Sequence, residues 1–264
     1  MKLVSLASGS SGNAFLADTG SGLLLLDVGI SYKTLKTELA ELGRSPDEIR
    51  AVLLTHEHAD HVAGLPVWMK HHPEVPVFAS YGTFEGLSRE KIFERLKKEA
   101  FELIRPHEHV SAAGIDLYAS PTSHDTPGSL AWRGNGEKSS FAVITDLGCW
   151  TDELADEMKG LSVICLEANH DVRMLETGPY PYPLKLRIES SSGHLSNEDA
   201  AAFLVRLWHG GLKEVLLAHL SRENNYPDLA VQTVISELIG NGIDPTAVPI
   251  TAAPRTGLSH IIDF

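Results

Sequence analysis

The chain has 264 residues, 43% hydrophobic and 22% charged, which suffices for a sizeable α/β core and excludes a disordered chain. Its purely apolar runs, such as Leu23–Leu26, fall far short of the roughly 20 residues of a membrane-spanning helix, and two cysteines, Cys149 and Cys165, cannot build a disulfide scaffold. The formal charge of −13, from 22 Lys and Arg against 35 Asp and Glu, argues against holding nucleic acid by broad electrostatics; it predicts weak DNA affinity and a shallow salt dependence, without excluding nucleic acid as a substrate.

Residues 2–7, 13–18 and 22–27 read as strands, with turns at Ser10-Ser11-Gly12 and Thr19-Gly20-Ser21-Gly22. The apolar opening has the look of a signal peptide but breaks at Ser8-Gly9, too early for an apolar region of roughly 7–15 residues, so a cytoplasmic protein is expected. Leu35, Leu39 and Leu42 are spaced for a helix over 32–42 that stops at Gly43. A buried strand over 50–55, a helix over 60–71, a strand over 75–79 and a charged helix over 90–100 follow. Residues 115–120 and 141–145 read as strands joined by a polar hairpin around Gly134-Asn135-Gly136. A helix over 151–159, a strand over 161–167, a helix over 197–208, a strand over 214–218 and a helix over 227–239 come next, and 248–251 and 259–263 read as final strands. A β-sandwich with helices outside satisfies this order, as do other α/β layouts.

The chemistry concentrates in Thr55-His56-Glu57-His58-Ala59-Asp60-His61, between a buried strand and a helix. On extended chain, residues two apart face the same way, so His56 and His58 can converge on one ion, while Asp60 and His61, at the bend into the helix, can turn toward a second. Imidazole and carboxylate suit Zn²⁺, Mn²⁺ or Fe²⁺.

This H-x-H-x-D-H motif after a strand resembles the signature of the metallo-β-lactamase fold. Its companions follow in order at strand ends: Asp27, His124, Asp146 and His219. The resemblance implies an α/β (αββα) architecture, two packed mixed β-sheets flanked by helices, as a single domain over residues 1–264. Several blocks are similar to one branch, the YycJ (WalJ) proteins related to ribonuclease Z and ribonuclease J: Ala7-Ser-Gly-Ser-Ser-Gly-Asn13, Glu167-Ala-Asn-His-Asp171, Tyr182-Pro-Leu-Lys-Leu-Arg-Ile188, Ser192-Gly-His-Leu-Ser-Asn-Glu-Asp-Ala200 and Leu217-Ala-His-Leu-Ser-Arg-Glu-Asn-Asn225. That likeness implies a metal-dependent 5′→3′ DNA exonuclease, linked in some bacteria to mismatch repair, with two divalent ions (Zn²⁺ or Mn²⁺) and a metal-bridging hydroxide as nucleophile. It implies that His56, His58 and His124 hold one ion, that Asp60, His61 and His219 hold the other, that Asp146 bridges them, and that Asp27 steers the histidine loop from behind.

His194 precedes Ser196, which with Asp199 forms a capping-box-like start to an apolar-striped helix; by likeness to ribonuclease Z-like proteins it is expected at the scissile phosphate. Lys185, Arg187 and Arg222 are candidate phosphate contacts, with solvated surface charge as the competing reading. Asn169 and His170 end a buried strand, and a capping or supporting role is open for both. The Ser8–Asn13 turn could aim backbone N–H groups at an anion or be a plain turn. His107-Glu108-His109 reads as a polar turn, His71-His72 as a helix end before Pro73, both cysteines as buried apolar fillers, and Trp68, Trp132, Trp150 and Trp208 as core or rim packing. A small-molecule hydrolase (thioesterase, lactonase or lactamase type) and a non-catalytic binding module compete with the nuclease. His194 and the YycJ-like blocks favour phosphate chemistry, and no ligand position is degraded.

Overall fold

A computed structural model describes all 264 residues, the side chain of Phe93 excepted. The first six strands are β1 (Lys2–Ala7), β2 (Ala14–Asp18), β3 (Leu23–Leu26), β4 (Ile49–Leu53), β5 (Val77–Ser80) and β6 (Phe101–Ile104). The next seven are β7 (His109–Ala112), β8 (Ile115–Pro121), β9 (Leu130–Asn135), β10 (Ser140–Ile144), β11 (Val163–Glu167), β12 (Glu214–Ala218) and β13 (Ile250–Ala252). The short β14 (Ile262–Asp263) returns to pair with β1. They form two 7-stranded sheets, in the orders β14-β1-β2-β3-β4-β5-β6 and β13-β12-β11-β10-β9-β8-β7. In each sheet a run of parallel strands, β3 to β6 and β10 to β13, adjoins antiparallel neighbours.

The strands read as unbroken apolar runs because both faces are covered. Leu24 and Leu26 point into the layer between the sheets, where Phe15, Trp132, Phe141, Val143, Cys165 and Leu216 also lie. Leu23 and Leu25 point outward, against α1 (Tyr32–Glu41) and a later helix, α3 (Leu65–His71). On the second sheet Ala142, Ile144, Ile164 and Leu217 face outward against three helices, α5 (Asp152–Glu157), α8 (Asn197–Leu207) and α9 (Pro227–Gly240). The result is the expected αββα sandwich. No helix among the described residues is long and apolar enough to cross a membrane.

Several boundaries differ from the sequence reading. The helix expected over 60–71 is split into α2 (Ala59–Val62) and α3, and the break falls at Gly64, where a Cβ would stand 2.0 Å from the Ile30 carbonyl oxygen. The charged helix expected over 90–100 is two short 3₁₀ turns, Lys91–Arg95 and Lys98–Ala100; the helix in this region is α4 (Tyr81–Ser88). The hairpin around Gly136 joins β9 to β10, and β9 lies between the two strands that had been paired directly. Helices α6 (Val172–Thr177) and α7 (Tyr182–Ile188) complete the chain. Trp68 and Trp132 are buried and Trp150 and Trp208 pack at the rim, as expected, but Cys149 is only half-buried. His107 sits in a turn, whereas His109 starts β7.

Candidate metal centre

The centre lies along one edge of the sandwich, where parallel strands end, the usual position for ligand sites in such sheets. Asp27 follows β3, the histidine loop follows β4, Asp146 follows β10, Glu167 ends β11 and His219 follows β12. Asp27, Asp146 and His219 all have left-handed backbone, with φ of 60°, 57° and 55°. That conformation is uncommon for residues with a Cβ and collects at functional sites. At His219 it is held by the backbone: His219 N–H donates to Ser8 Oγ at 2.8 Å, and its carbonyl accepts from Asn169 Nδ2 at 2.9 Å.

The side chains form two trios around one carboxylate. In the first, His56 Nε2 lies 3.0 Å and His124 Nε2 3.4 Å from His58 Nδ1. In the second, Asp60 Oδ2 lies 3.5 Å from both His61 Nε2 and His219 Nε2. Asp146 reaches both: Oδ2 is 3.2 Å from His61 Nε2 and Oδ1 is 3.7 Å from His124 Nε2. The seven residues named from sequence are thus brought together.

Supporting groups select which imidazole nitrogens face the centre. Asp27, fully buried, accepts from His61 Nδ1 at 2.7 Å, from the Thr55 amide at 2.8 Å and from Thr55 Oγ1 at 2.9 Å. The Thr55 hydroxyl is then free to accept from His56 Nδ1 at 3.0 Å. The Gly193 carbonyl accepts from His124 Nδ1 at 3.0 Å, and Glu167 Oε1 accepts from His219 Nδ1 at 2.9 Å. With Nδ1 engaged in each case, Nε2 of His56, His61, His124 and His219 is the nitrogen that faces the centre, as metal ligation requires.

The electrostatics agree. Burial opposes charge on His61 and His219, but Asp146 with Asp27, and Asp146 with Asp60 and Glu167, overcome it: His61 is raised well above the ordinary imidazole value and His219 to about 10. These carboxylates make a buried negative field that calls for cations. His56, buried among other imidazoles, is pushed well down and presents a neutral nitrogen.

These residues fit a pair of divalent ions. Asp146 Oδ2 and His219 Nε2 are buried and make no hydrogen bond, though each is a strong polar group. Ligands about 2.0–2.1 Å from a tetrahedral ion stand roughly 3.3 Å apart, close to the separations within both trios. The donor set, imidazole and carboxylate without thiolate, suits Zn²⁺ or Mn²⁺.

Two residues at this centre were not singled out from the sequence. Glu167 Oε1 also accepts from His194 Nδ1 at 2.7 Å, and Oε2 accepts from the Leu147 amide at 2.8 Å. Burial alone would raise this carboxyl, but His194 and His219 hold it at about 2. A carboxylate closing an apolar parallel strand, as at Asp27 and Asp146, was the available signal. Asn13 directs Nδ2 at Asp60 Oδ2, 3.2 Å away, while its Oδ1 accepts from the Gly9 amide at 2.8 Å. The Gly12 amide is likewise used, by the Gly9 carbonyl, so the Ser8–Asn13 segment keeps these two N–H groups for itself and reads as a turn.

His194 stands at the mouth, its ring centroid 5.1 Å from that of His124 and 5.2 Å from that of His219. The expected cap behind it is present, with Ser196 Oγ accepting from the Asp199 amide at 3.0 Å. A small cavity of about 150 Å³ opens here, lined by Arg187, Asp125 and Tyr180 among others. Arg187 Nε donates to Asp125 Oδ2 at 2.6 Å. Lys185 and Arg222 are not brought to the centre: Lys185 Nζ donates to the Glu176 carbonyl at 2.7 Å, and Arg222 lies 3.7 Å from Glu223 on the surface. His170 is buried beside Ser196 with Nδ1 unpartnered, and burial lowers its imidazole to about 4.

Residues 14–220 match the beta-lactamase superfamily domain. The chain is 35% identical over 258 residues to the exodeoxyribonuclease WalJ of Streptococcus pneumoniae, covering 95% of this chain and 96% of that one. It is 32% identical over 237 residues to the exodeoxyribonuclease YycJ of Bacillus anthracis, covering 90% and 89%. Among solved structures, the metallo-β-lactamase fold protein YhfI from Bacillus subtilis superposes with a TM-score of 0.72 at 15% identity over 98% and 99% of the two chains. Zn²⁺-bound PqqB from Methylobacterium extorquens does so with a TM-score of 0.71 at 17% identity over 100% of both. At those identities the structural likeness is one of fold. The chain is a member of the metallo-β-lactamase superfamily. Within it, the chain belongs to the family of the WalJ and YycJ exodeoxyribonucleases.

Proposed function

We propose that this protein is a metal-dependent phosphodiesterase that degrades DNA from its 5′ end, a 5′→3′ exodeoxyribonuclease. The observation that carries the reading is Asp146, whose carboxylate lies within reach of both trios of ligand side chains. The similarity to exodeoxyribonucleases along nearly the whole chain supports DNA as the phosphodiester. His56, His58 and His124 would hold one ion, Asp60, His61 and His219 the other, with Asp146 shared. Two bound divalent ions, Zn²⁺ or Mn²⁺, supply Lewis acidity and positive charge at the phosphate.

The chain's own residues do the rest. Asp27, Thr55, Gly193 and Glu167 fix the ligand imidazoles in orientation before substrate arrives, so little reorganisation is left for the reaction. His194, with Nδ1 committed to Glu167, presents Nε2 at the mouth. Burial lowers its basicity, while Glu167 and Asp146 raise it above the ordinary imidazole value, a direction that suits a proton donor. As a water oxygen bonds to phosphorus and releases one proton to solvent, the P–O bond to the departing nucleotide breaks and the His194 proton passes to the leaving oxygen. The protein works as a single αββα unit in the cytoplasm, and repair proteins are its expected partners by family likeness.

The test is incubation of Mn²⁺- or Zn²⁺-loaded protein with end-labelled duplex DNA, RNA and a thioester. Release of nucleotides from the 5′ end of DNA supports the reading. Cleavage of the thioester alone would move the protein to the small-molecule hydrolases.

A further inference from the structure

The acidic net charge is unevenly spread. Residues 89–98 carry Arg89, Lys91, Arg95, Lys97 and Lys98 against Glu90 and Glu94, a local charge of +3 in a chain of −13. This stretch follows α4 and forms one wall of a groove of about 750 Å³. His58, of the first trio, and Pro127, just past His124, line it together with Arg89, Lys91 and Arg95. Glu57 and Glu90 also line it, so three cations face two carboxylates. The Glu57 carboxyl packs against Gly86, where a Cβ would stand 2.5 Å from Glu57 Oε1, which places it at the α4 wall.

Of the ligand side chains, His58 is the one that lines this groove. The His58 and Asp60 side chains are 33% and 23% exposed, whereas those of His61, His124, Asp146 and His219 are at most 4% exposed. Arg89 is tied only to Glu85 at 2.7 Å, an exposed pair one helical turn apart that contributes little and yields readily to phosphate. Among the described residues Lys91 and Arg95 carry no ion pair.

Resting on the nuclease reading, we propose that this groove is the track along which one strand of the nucleic acid leaves the metal centre, with Arg89, Lys91 and Arg95 each taking a backbone phosphate. The chemistry recognised is a run of phosphodiesters, read by charge and without base contacts. Despite the acidic surface, the salt dependence of binding is then set by these three cations, and the shallow slope expected from net charge alone is replaced by one of about −2.

The test compares metal-loaded wild type with the triple variant Arg89→Gln, Lys91→Gln, Arg95→Gln. A control triple variant, Lys33→Gln, Lys36→Gln, Lys138→Gln, makes the same charge change elsewhere on the surface. The substrates are an end-labelled 30-nucleotide DNA and a dinucleotide too short to reach along the groove. The groove variant is expected to raise KM for the long DNA at least tenfold, to flatten the log–log salt slope by about 2, and to shift the dinucleotide far less. The control variant is expected to follow wild type. Should the groove triple fail to fold, Lys91→Gln and Arg95→Gln singly carry the same test at about threefold each. If KM and slope match those of the control while DNA is still cleaved, the groove assignment is wrong and the nuclease reading stands. If wild type cleaves no nucleic acid, both fall.

Discussion

Glu167→Gln probes the support beneath two of the imidazoles. The side chain keeps its volume, but one of its two oxygens becomes an NH₂ that cannot accept. Placed at the Oε1 position, the amide nitrogen meets Nδ1 of His194 and His219, 2.7 and 2.9 Å away. His219 must then move its proton to Nε2 and lose the lone pair it would offer a metal. Placed at Oε2, it meets the amides of Leu147 and Leu195, at 2.8 and 3.3 Å, which cannot turn away. Either way two buried donors lose their acceptor, at about 1–3 kcal/mol each. Linkage leads to a similar figure. A carboxyl held at about 2 instead of 4.5 contributes stability above pH 4.5 of about 3 kcal/mol, lost as the pH falls from 4.5 toward 2. We therefore expect chelator-treated Glu167→Gln to be about 3 kcal/mol less stable than wild type in urea at pH 7, with the gap closing below pH 4.5. Metal affinity or turnover should drop 10- to 100-fold, as for comparable groups behind metal ligands. Equal stability at pH 7 together with wild-type metal content and turnover would refute the reasoning.

His194→Ala should lose about 10²–10⁴-fold in kcat on DNA while keeping its metal, measured by plasma mass spectrometry of the same sample; metal lost in step with activity would make His194 a ligand instead. His170, whose burial lowers its imidazole to about 4, binds its proton more readily when unfolded. The contribution of His170 should therefore be constant above pH 6.5 and destabilise by up to about 3 kcal/mol as the pH drops toward 4, and His170→Gln should flatten that limb. An NMR titration placing His170 near 6.5 would contradict this. Chelation should abolish hydrolysis while leaving the far-ultraviolet circular dichroism largely intact, because the three apolar layers do not depend on the centre; retention of full activity in metal-free protein would count against a metal mechanism.

The histidine loop was legible from its own spacing, whereas Asp27, His124, Asp146 and His219 were legible through the family resemblance, and the sheet topology carries the strand ends that bear them to one edge. His56, His58, Asp60 and His61 needed only the alternation of an extended chain and the bend into α2. Glu167 likewise closes an apolar strand, yet a single carboxylate at the end of Val163–Glu167 looks like the entry to a loop until His194 and His219 are seen to share it. Helix α4 was hidden by glycine. Gly82 stands so close to the Pro127 carbonyl oxygen that a Cβ would be 2.3 Å from it, so packing overrides the low helix propensity. The reverse happened over 90–100, where Lys and Glu suit a helix but Leu96 alone among the described side chains is buried. Edge strands β6 and β7, half in solvent, lack the apolar runs that marked the central strands.

The most direct measurement is anomalous X-ray scattering from a crystal of the metal-loaded protein, recorded on both sides of the zinc or manganese absorption edge. Two peaks are predicted, one enclosed by His56, His58 and His124 and one by Asp60, His61 and His219, with the Asp146 carboxylate between them. A single peak elsewhere, or none with these side chains in place, would contradict the assignment.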